Sequence, residues 1–168
     1  MSDTKTCKDC KKTLPIDNFE ILMSRHSDGK VYHRAICRSC KTNNKARQIS
    51  SSPETYLKNL AIQLRSSRRK GNIVFEVTDA EIISLWAKQN GRCALSGVLM
   101  TYQRDGGHGV GKKDFNASID RINPLADYTI DNIQLVTTRV NLMKHTLGED
   151  MFMWWVRTVY EHVYQSEK

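Results

Sequence analysis

Residues 118–144 read SIDRINPLADYTIDNIQLVTTRVNLMK, and three structural patterns follow one another within them. Ser118–Ile122 and Ile133–Val136 have the length and apolar content of short strands, and the turn-forming residues of Asn123–Asp131 separate them. Thr137–His145 then fits a helix. We therefore expect a β-hairpin followed by a helix, with polar side chains concentrated where the three elements meet.

Four polar residues of this segment suggest a metal and phosphate site. Asp120 alternates with apolar neighbours, which places it on the first strand, and Asn141 and Lys144 are three apart and share one helix face. If the helix folds back on the hairpin, a carboxylate and an amide oxygen converge, and such a pair with open positions suits Mg²⁺. Arg121 and Lys144 beside them would hold a phosphate. Polar residues that only brace the hairpin are an equally good interpretation of the spacing.

The same residues resemble the HNH endonuclease family, which uses the ββα-metal (His-Me finger) fold. The resemblance rests on the spacing Asp-x(11)-Asn-x(8)-Asn-x(2)-Lys and on five segments, Gly91–Gly97, Ser118–Ile122, Asp127–Thr129, Asp131–Val136 and Asn141–Lys144. It implies an α+β protein whose small ββα-metal nuclease core is flanked by helices. It also implies a metal-dependent DNA endonuclease that uses Mg²⁺ or Mn²⁺.

The resemblance assigns a role to each matching position. Asp120 matches the metal-binding acid, Asn141 the metal ligand on the helix, and Lys144 the basic residue one turn later. Asn132 matches the asparagine that fixes a loop through backbone hydrogen bonds.

One position departs from the family pattern. Arg121 stands where most members carry the histidine that activates water; some HNH restriction enzymes have arginine there, contacting the scissile phosphate, with a tyrosine elsewhere implicated as the base. Metal alone can also activate the water. The candidate general bases are His108, Tyr102, Tyr128 and His145.

A second departure concerns a zinc site that many members hold around the core. Its ligand positions correspond here to Cys93, Ser96, Thr137 and Val140, so three of the four ligands are absent. The absence fits a site lost as a whole, and we expect Cys93 to be a small buried apolar residue.

Two CxxC pairs, Cys7-x(2)-Cys10 and Cys37-x(2)-Cys40, lie 26 residues apart near the start of the chain. Two such turns supply the four thiolates that tetrahedral Zn²⁺ prefers, and a segment this poor in aliphatic residues needs a metal to fold. We therefore expect a zinc-ribbon-like module with one structural zinc per chain. His26 and His33 lie between the pairs, but four cysteines already fill the shell. The small apolar centre of the module is predicted to contain Leu14, Phe19, Tyr32 and Ile36.

Charge is unevenly distributed along the 168 residues, which carry a net charge of +8. Residues 1–75 hold 16 basic and 6 acidic side chains, whereas residues 76–168 hold 10 and 12. A basic front half suggests a polyanionic partner, here double-stranded DNA, although a basic surface that serves only solubility fits the charge equally well. The cations predicted to contact nucleic acid are Lys41, Lys45, Arg47, Arg65, Arg68, Arg69 and Lys70.

The remaining patterns suggest three segments: a four-cysteine zinc-binding module over 1–50, a basic helix and strand connector over 51–77, and the nuclease core with a C-terminal helix over 78–168. Helices are predicted to begin at Ser52-Pro53 and at the capping box Thr78-x-x-Glu81. Ile73–Val77 is predicted as a strand and 93–102 as a small hairpin. Over Glu149–Tyr164 we expect a final helix whose aromatic residues pack in the core.

Several classes are excluded or disfavoured. No apolar stretch approaches the length of a bilayer span, and the polar start of the chain has no signal-peptide core, so we expect a cytoplasmic protein of a bacterium or phage-infected cell. Zinc-knuckle modules precede such cores in phage-type members of the family. The alternatives are a non-catalytic zinc-ribbon DNA-binding protein with a degenerate HNH core, and a junction-resolving nuclease. The sequence is compatible with a monomeric nickase and with a homodimer joined through the last helix.

Overall fold

The computed structural model describes residues 3–22, 30–68, 73–104 and 114–164. Four residues considered above, His26, Arg69, Lys70 and His108, lie outside the described residues. The described residues form an α+β protein with two two-stranded sheets and five α-helices. The chain divides into two compact units, Met1–Ile49 with Arg104–Gly109, and Ser50–Gln103 with Val110–Lys168.

The first unit contains a hairpin and a helix. Strands β1 (Thr4–Thr6) and β2 (Thr13–Pro15) pair antiparallel, and helix α1 spans Arg38–Ile49. The connection between the strands is a tight turn in which the Cys7 N–H donates to the Lys12 carbonyl at 3.0 Å. Lys11 has a φ of 60° in this turn, a left-handed conformation that a side chain adopts only at some cost.

The apolar centre of this unit is small. Phe19 is completely buried beside Cys7 and Cys37, and Leu14 and Ile36 pack against them. The prediction for Tyr32 was wrong, because its side chain is 40% exposed. Tyr32 therefore lies outside the buried cluster of Phe19, Cys7 and Cys37.

The second unit holds the predicted strand–strand–helix segment. Strands β3 (Ala117–Arg121) and β4 (Ile133–Thr137) pair antiparallel with Asp120 opposite Gln134, and α4 (Thr138–Lys144) contacts both strands. All five residues of β4 are buried. Because successive side chains of a strand point to opposite faces, both faces of β4 are covered.

Two helices precede the hairpin and cover it. Helix α2 (Pro53–Arg68) contacts β3, and α3 (Asp79–Lys88) contacts β4. The capping box predicted for α3 is confirmed: the Thr78 hydroxyl accepts from the Glu81 N–H at 3.2 Å, and the Glu81 carboxylate accepts from the Thr78 N–H at 2.8 Å. The buried core between these elements includes Leu57, Ala61, Ile82, Ile119, Ile133 and Leu135.

Two of the predicted strand regions contain only isolated pairings. Phe75 pairs with Tyr128 in the first, and Arg92 pairs with Leu99 in the second. Gly97, with a φ of 69°, turns the chain within the second region, and Thr101 pairs outside it with Asn116. The first region therefore contributes a single parallel bridge instead of a strand, whereas the second is a tight antiparallel turn closed by one bridge, too short to count as two strands.

Helix α5 (Glu149–Tyr164) forms over the predicted residues, but the prediction of its packing was wrong. Phe152 is its one buried residue. Trp154, Trp155 and Tyr160 are about half exposed, at 54%, 49% and 57%. A helix that is apolar around most of its circumference buries only the stripe that meets the core, so its other apolar faces stay open. Within the described part of the chain, no helix has the length and apolarity needed to cross a bilayer.

Candidate functional site

The four predicted zinc ligands lie together in the first unit. The sulfur atoms of Cys7, Cys10, Cys37 and Cys40 are all within 4.8 Å of one another. The first pair comes from the turn after β1, and the second pair straddles the start of α1, where Cys37 precedes the helix and Cys40 lies in its first turn. Four thiols clustered in this way fit a tetrahedral structural zinc.

The thiols of the cluster differ in their proton affinity. The backbone N–H of Cys37 donates to the Cys7 sulfur at 3.3 Å and, against the effect of burial, lowers the pKa of Cys7 to about 6. Hydrogen bonding to the Cys37 thiol, together with burial, raises the pKa of Cys40 above its usual value. His33 has a different partner, since its Nδ1 lies 3.3 Å from the Phe19 carbonyl oxygen. A zinc ion would therefore be held by thiolates and would displace the remaining thiol protons.

A cleft of about 130 Å³ in the second unit brings together residues of β3, α4 and the end of α2. Several of the polar side chains predicted as functional line it. The polar residues around the cleft are Arg68, Ser118, Asp120, Arg121, Tyr128, Asn141 and His145.

Asp120 is 5% exposed, and its carboxylate contacts the buried ammonium group of Lys144. The Lys144 Nζ lies 3.1 Å and 3.3 Å from the two Asp120 carboxylate oxygens and also donates to the Arg121 carbonyl at 2.7 Å. Lys144 is completely buried. The pair is thus a desolvated salt bridge, whose geometry must be good to offset the loss of hydration.

Sequence reasoning missed Gln134, which completes the surroundings of Asp120. Its side-chain N–H group donates to Asp120 Oδ2 at 3.1 Å and to Glu149 Oε2 at 3.0 Å. The available signal was a polar residue inside the apolar run Ile133–Val136. Lys144 and Gln134 together fix the orientation of the carboxylate.

Asn141 reaches the same cleft from α4. Its amide N–H group donates to the Ser118 hydroxyl at 2.7 Å. This bond orients the side chain and leaves the amide oxygen without a hydrogen bond among the described residues. Asp120 and Asn141 therefore offer oxygens to one cavity, as a hydrated divalent cation requires.

Arg121 and Tyr128 form one wall of the cleft. The Arg121 guanidinium donates to the Ala126 carbonyl at 2.7 Å and lies 5.0 Å from the centre of the Tyr128 ring. Tyr128 is 3% exposed and stacks on Phe75 at 5.0 Å. Arg121 therefore lines the cleft while its guanidinium is tied to the loop after β3.

Asn132 does not line the cleft, but it forms hydrogen bonds with the backbone of the loop after β3, residues 123–127. Its side-chain oxygen accepts from the Asn123 N–H at 2.9 Å, and its amide N–H group donates to the Asp127 carbonyl at 2.8 Å. These bonds hold together the two ends of the segment that carries Ala126, the partner of Arg121.

The four candidate bases have different locations. His145 and Tyr128 line the cleft, and His145 has a left-handed φ of 49° at the end of α4. Tyr102 lies elsewhere, packed edge-on against Trp86 at 6.3 Å, and His108 is outside the described residues.

Most of the described cations predicted to bind nucleic acid have local partners. Lys41 pairs with Glu20, Arg47 donates to Asn44, and Arg65 pairs with Asp79 at 2.7 Å. Lys45 is exposed on α1. Arg68 is the only one of these described residues that lines the cleft.

Cys93 and the positions matched to the absent zinc site lie close together. Cys93 is 2% exposed, and although burial raises its pKa, hydrogen bonds from the Ser96 side chain and the Thr137 backbone produce a net lowering. The Thr137 hydroxyl accepts from the Val140 N–H at 3.3 Å and caps α4. Among the described residues, the only group of cysteine, histidine and acidic side chains able to hold a metal is the four-cysteine cluster.

No family model and no curated protein matches the chain. Among solved structures, it is similar to one described as "An extraordinary mechanism of DNA perturbation exhibited by the rare-cutting HNH restriction endonuclease PacI". The identity is 13% and the TM-score 0.43, over 97% of this chain and 98% of that chain.

Proposed function

We propose that this protein is an HNH-type DNA endonuclease that hydrolyses backbone phosphodiester bonds with one Mg²⁺ or Mn²⁺ ion per active site, and that its zinc is structural. The observation that carries the proposal is the cleft that Asp120, Asn141 and Arg121 line together. An acidic ligand, an amide ligand and a cation around one small cavity are the groups that metal-assisted phosphodiester hydrolysis requires.

Each residue would have a separate task in the reaction. Asp120 and Asn141 would hold the divalent cation, which as a Lewis acid would stabilise charge on the leaving 3′ oxygen. Arg121 would bind the scissile phosphate and stabilise the negative charge that develops on it. Lys144 would balance the charge of the buried Asp120 carboxylate, and Asn132 would keep the Arg121 loop in place.

The water would give a proton to the general base while its oxygen bonds to phosphorus and the bond to the 3′ oxygen breaks. The 3′ oxygen would then take a proton from solvent, which yields a 5′-phosphate and a 3′-hydroxyl. Of the two candidate bases in the cleft, we favour His145 over Tyr128. The His145 side chain is exposed to water, whereas Tyr128 is almost completely buried, and imidazole is the most frequent general base in enzymes.

A homodimer is part of the proposal because one such site cuts one strand, whereas two sites related by symmetry cut both. It is supported by the exposed apolar surface of α5, described above. The proposed DNA partner is supported by the net charge of +8.

The decisive test is cleavage of supercoiled plasmid with Mg²⁺ or Mn²⁺ over a range of salt concentrations. The wild-type protein should produce nicked or linear plasmid. The cleavage rate of Asp120→Asn should be lower by a factor of about 100 or more. Asn keeps the shape of the buried side chain but loses its charge. The control is Asp131→Asn, an exposed acid outside the cleft, which should cut at the wild-type rate.

A wild-type protein that binds DNA but leaves the plasmid intact with either metal would favour the non-catalytic DNA-binding alternative. Linear duplex, a four-way junction and RNA should be compared in parallel. Faster cleavage of the junction would replace the duplex endonuclease with the junction-resolving alternative.

A further inference from the structure

We propose that Arg68, at the C-terminal end of α2, is a second arginine that contacts the scissile phosphate. This inference rests on the proposed nuclease function and adds to its site a residue from outside the strand–strand–helix segment. Arg68 lines the same cleft as Asp120, Arg121 and Asn141.

The first observation is an unsatisfied buried donor. The Arg68 Nε atom is buried and has no hydrogen-bond partner among the described residues. A buried guanidinium N–H without an acceptor costs stability, and a phosphate oxygen bound in the cleft would supply that acceptor if the Arg68 side chain moves toward it on binding. No ion pair formed by the described residues includes Arg68, so its charge is also available to a ligand.

The second observation is the arrangement of two arginines around one ring. The Arg68 guanidinium lies 5.9 Å from the centre of the Tyr128 ring, and the Arg121 guanidinium lies 5.0 Å from it. The ring holds each cation by a cation–π interaction that uses no hydrogen-bond donor. Both cations are therefore held at the cleft without spending a hydrogen-bond donor on the ring.

Arg65 lies one turn earlier on the same helix and serves as a comparison, because its contacts are those of an arginine with a structural role. It pairs with Asp79 at 2.7 Å, donates to the Val77 carbonyl at 2.7 Å and lies over the Phe75 ring at 5.0 Å. Arg65 therefore has protein partners for both its charge and its N–H groups. Arg68, in contrast, contacts the Tyr128 ring and lines the open cleft, and it forms no ion pair with a described residue.

Two arginines suit the chemistry of phosphodiester hydrolysis better than one. The non-bridging oxygens gain negative charge as water attacks phosphorus, and donors already fixed around them stabilise that charge without reorganising. Arg121 has one N–H group committed to the Ala126 carbonyl. Arg68, supplied by α2, adds a second fork of donors to the same cleft.

The test compares Arg68→Met with Lys58→Ala, which removes an exposed cation from the same helix away from the cleft. We expect Arg68→Met to lower kcat about 100-fold while the Kd for duplex DNA measured in Ca²⁺ changes by less than about threefold. Lys58→Ala should keep the wild-type kcat. A kcat for Arg68→Met within about threefold of wild type would overturn the inference.

Thermal unfolding gives a readout that does not require cleavage. Because the Arg68 donor is unsatisfied, Arg68→Met should keep or raise the Tm, whereas Arg65→Met should lower it. A fall in Tm for Arg68→Met as large as that for Arg65→Met would show a structural role and overturn the inference.

Inorganic phosphate is a second probe that separates this inference from the nuclease proposal. Phosphate should raise the Tm of the wild-type protein, and the rise should be lost in Arg68→Met but kept in Lys58→Ala. This result would support a phosphate site at Arg68 even if the plasmid were not cut. An equal rise in wild type and Arg68→Met, or no rise in either, would overturn the inference.

Discussion

The buried pair of Asp120 and Lys144 sets the electrostatics of the cleft. A carboxylate that is 5% exposed holds its charge at a large desolvation cost unless a cation lies beside it, and the completely buried Lys144 supplies that cation. The Nζ contacts both carboxylate oxygens from the interior. A divalent cation entering from the cleft would therefore share a carboxylate that Lys144 and Gln134 already orient.

Lys144→Met tests this arrangement. It would leave Asp120 buried without its cation, and we expect a loss of about 3–5 kcal/mol in the free energy of unfolding, measured with urea. The double variant Asp120→Asn/Lys144→Met removes both charges and should recover part of that loss.

The effect of Mg²⁺ on the Tm separates the contribution of the Asp120–Lys144 pair to stability from the proposed role of Asp120 as a metal ligand. If Asp120 is a metal ligand, Mg²⁺ should raise the Tm of Lys144→Met more than that of wild type, because the ion would replace the missing positive charge. The double variant, which has no carboxylate at this position, should show no such gain. Equal Mg²⁺ effects in all three proteins would contradict the assignment of Asp120.

At the scale of elements, the zinc module depends on a turn and a helix start instead of a large core. Phe19, Leu14 and Ile36 are its principal apolar side chains, so we expect the folding free energy of this unit to come largely from metal binding. The four sulfur atoms within 4.8 Å of one another are drawn from both ends of the module.

Zinc content and zinc removal test this dependence. We expect one zinc per chain by native mass spectrometry, and loss of hydrogen-exchange protection in β1, β2 and α1 after chelation. Cys10→Ser should lose the metal, whereas Cys93→Ser, which changes the cysteine outside the cluster, should retain one zinc. Zinc binding by Cys10→Ser at the wild-type stoichiometry would contradict the four-cysteine site.

Local sequence signals predicted some elements and missed others for physical reasons. The strand–strand–helix segment could be predicted because Asp120, Asn141 and Lys144 follow the periods of a strand and a helix. Helix α1 was missed because Arg38–Ile49 is polar and has no apolar stripe. Gln134 and Arg68 depend on which elements pack together, and a local pattern carries no information about that packing.

Helix α5 shows a different limit of pattern analysis. An apolar face at helical spacing predicts that the face is covered, but the pattern does not say whether the cover is the chain's own core or another molecule. Phe152 packs inward, and Trp154 and Trp155 stand about half exposed beside each other at 4.8 Å between ring centres.

At the scale of the whole molecule, α5 is the surface through which we expect two copies to associate. Its exposed large apolar residues are Met151, Met153, Trp154, Trp155, Val156, Val159, Tyr160, Val163 and Tyr164. The four aromatic side chains alone, each about half exposed, offer on the order of 400 Å². These residues lie around most of the circumference of α5, so a partner packed along one side of the helix would cover part of them.

Charge favours a second copy in an antiparallel, two-fold arrangement. Glu149 and Asp150 lie in the first turn of α5, whereas its second half carries Arg157, Glu161 and His162 and is close to neutral. Two such helices running in opposite directions keep the two acidic first turns apart and oppose their helix dipoles. A parallel pair would place like charges together.

Sedimentation velocity over roughly 1–100 μM tests this association, because that range separates weak from stable dimers. We expect a dimer that becomes a monomer in Trp154→Glu/Tyr160→Glu, because two acidic groups would enter the apolar contact. The control is Leu125→Glu, the same kind of change at a residue that is 94% exposed outside α5, which should stay dimeric.

On plasmid, the monomeric variant should accumulate nicked circles where the dimer gives linear DNA, since each site cuts one strand. A wild-type protein that is monomeric at about 100 μM, or a double variant that is still dimeric, would rule out α5 as the interface.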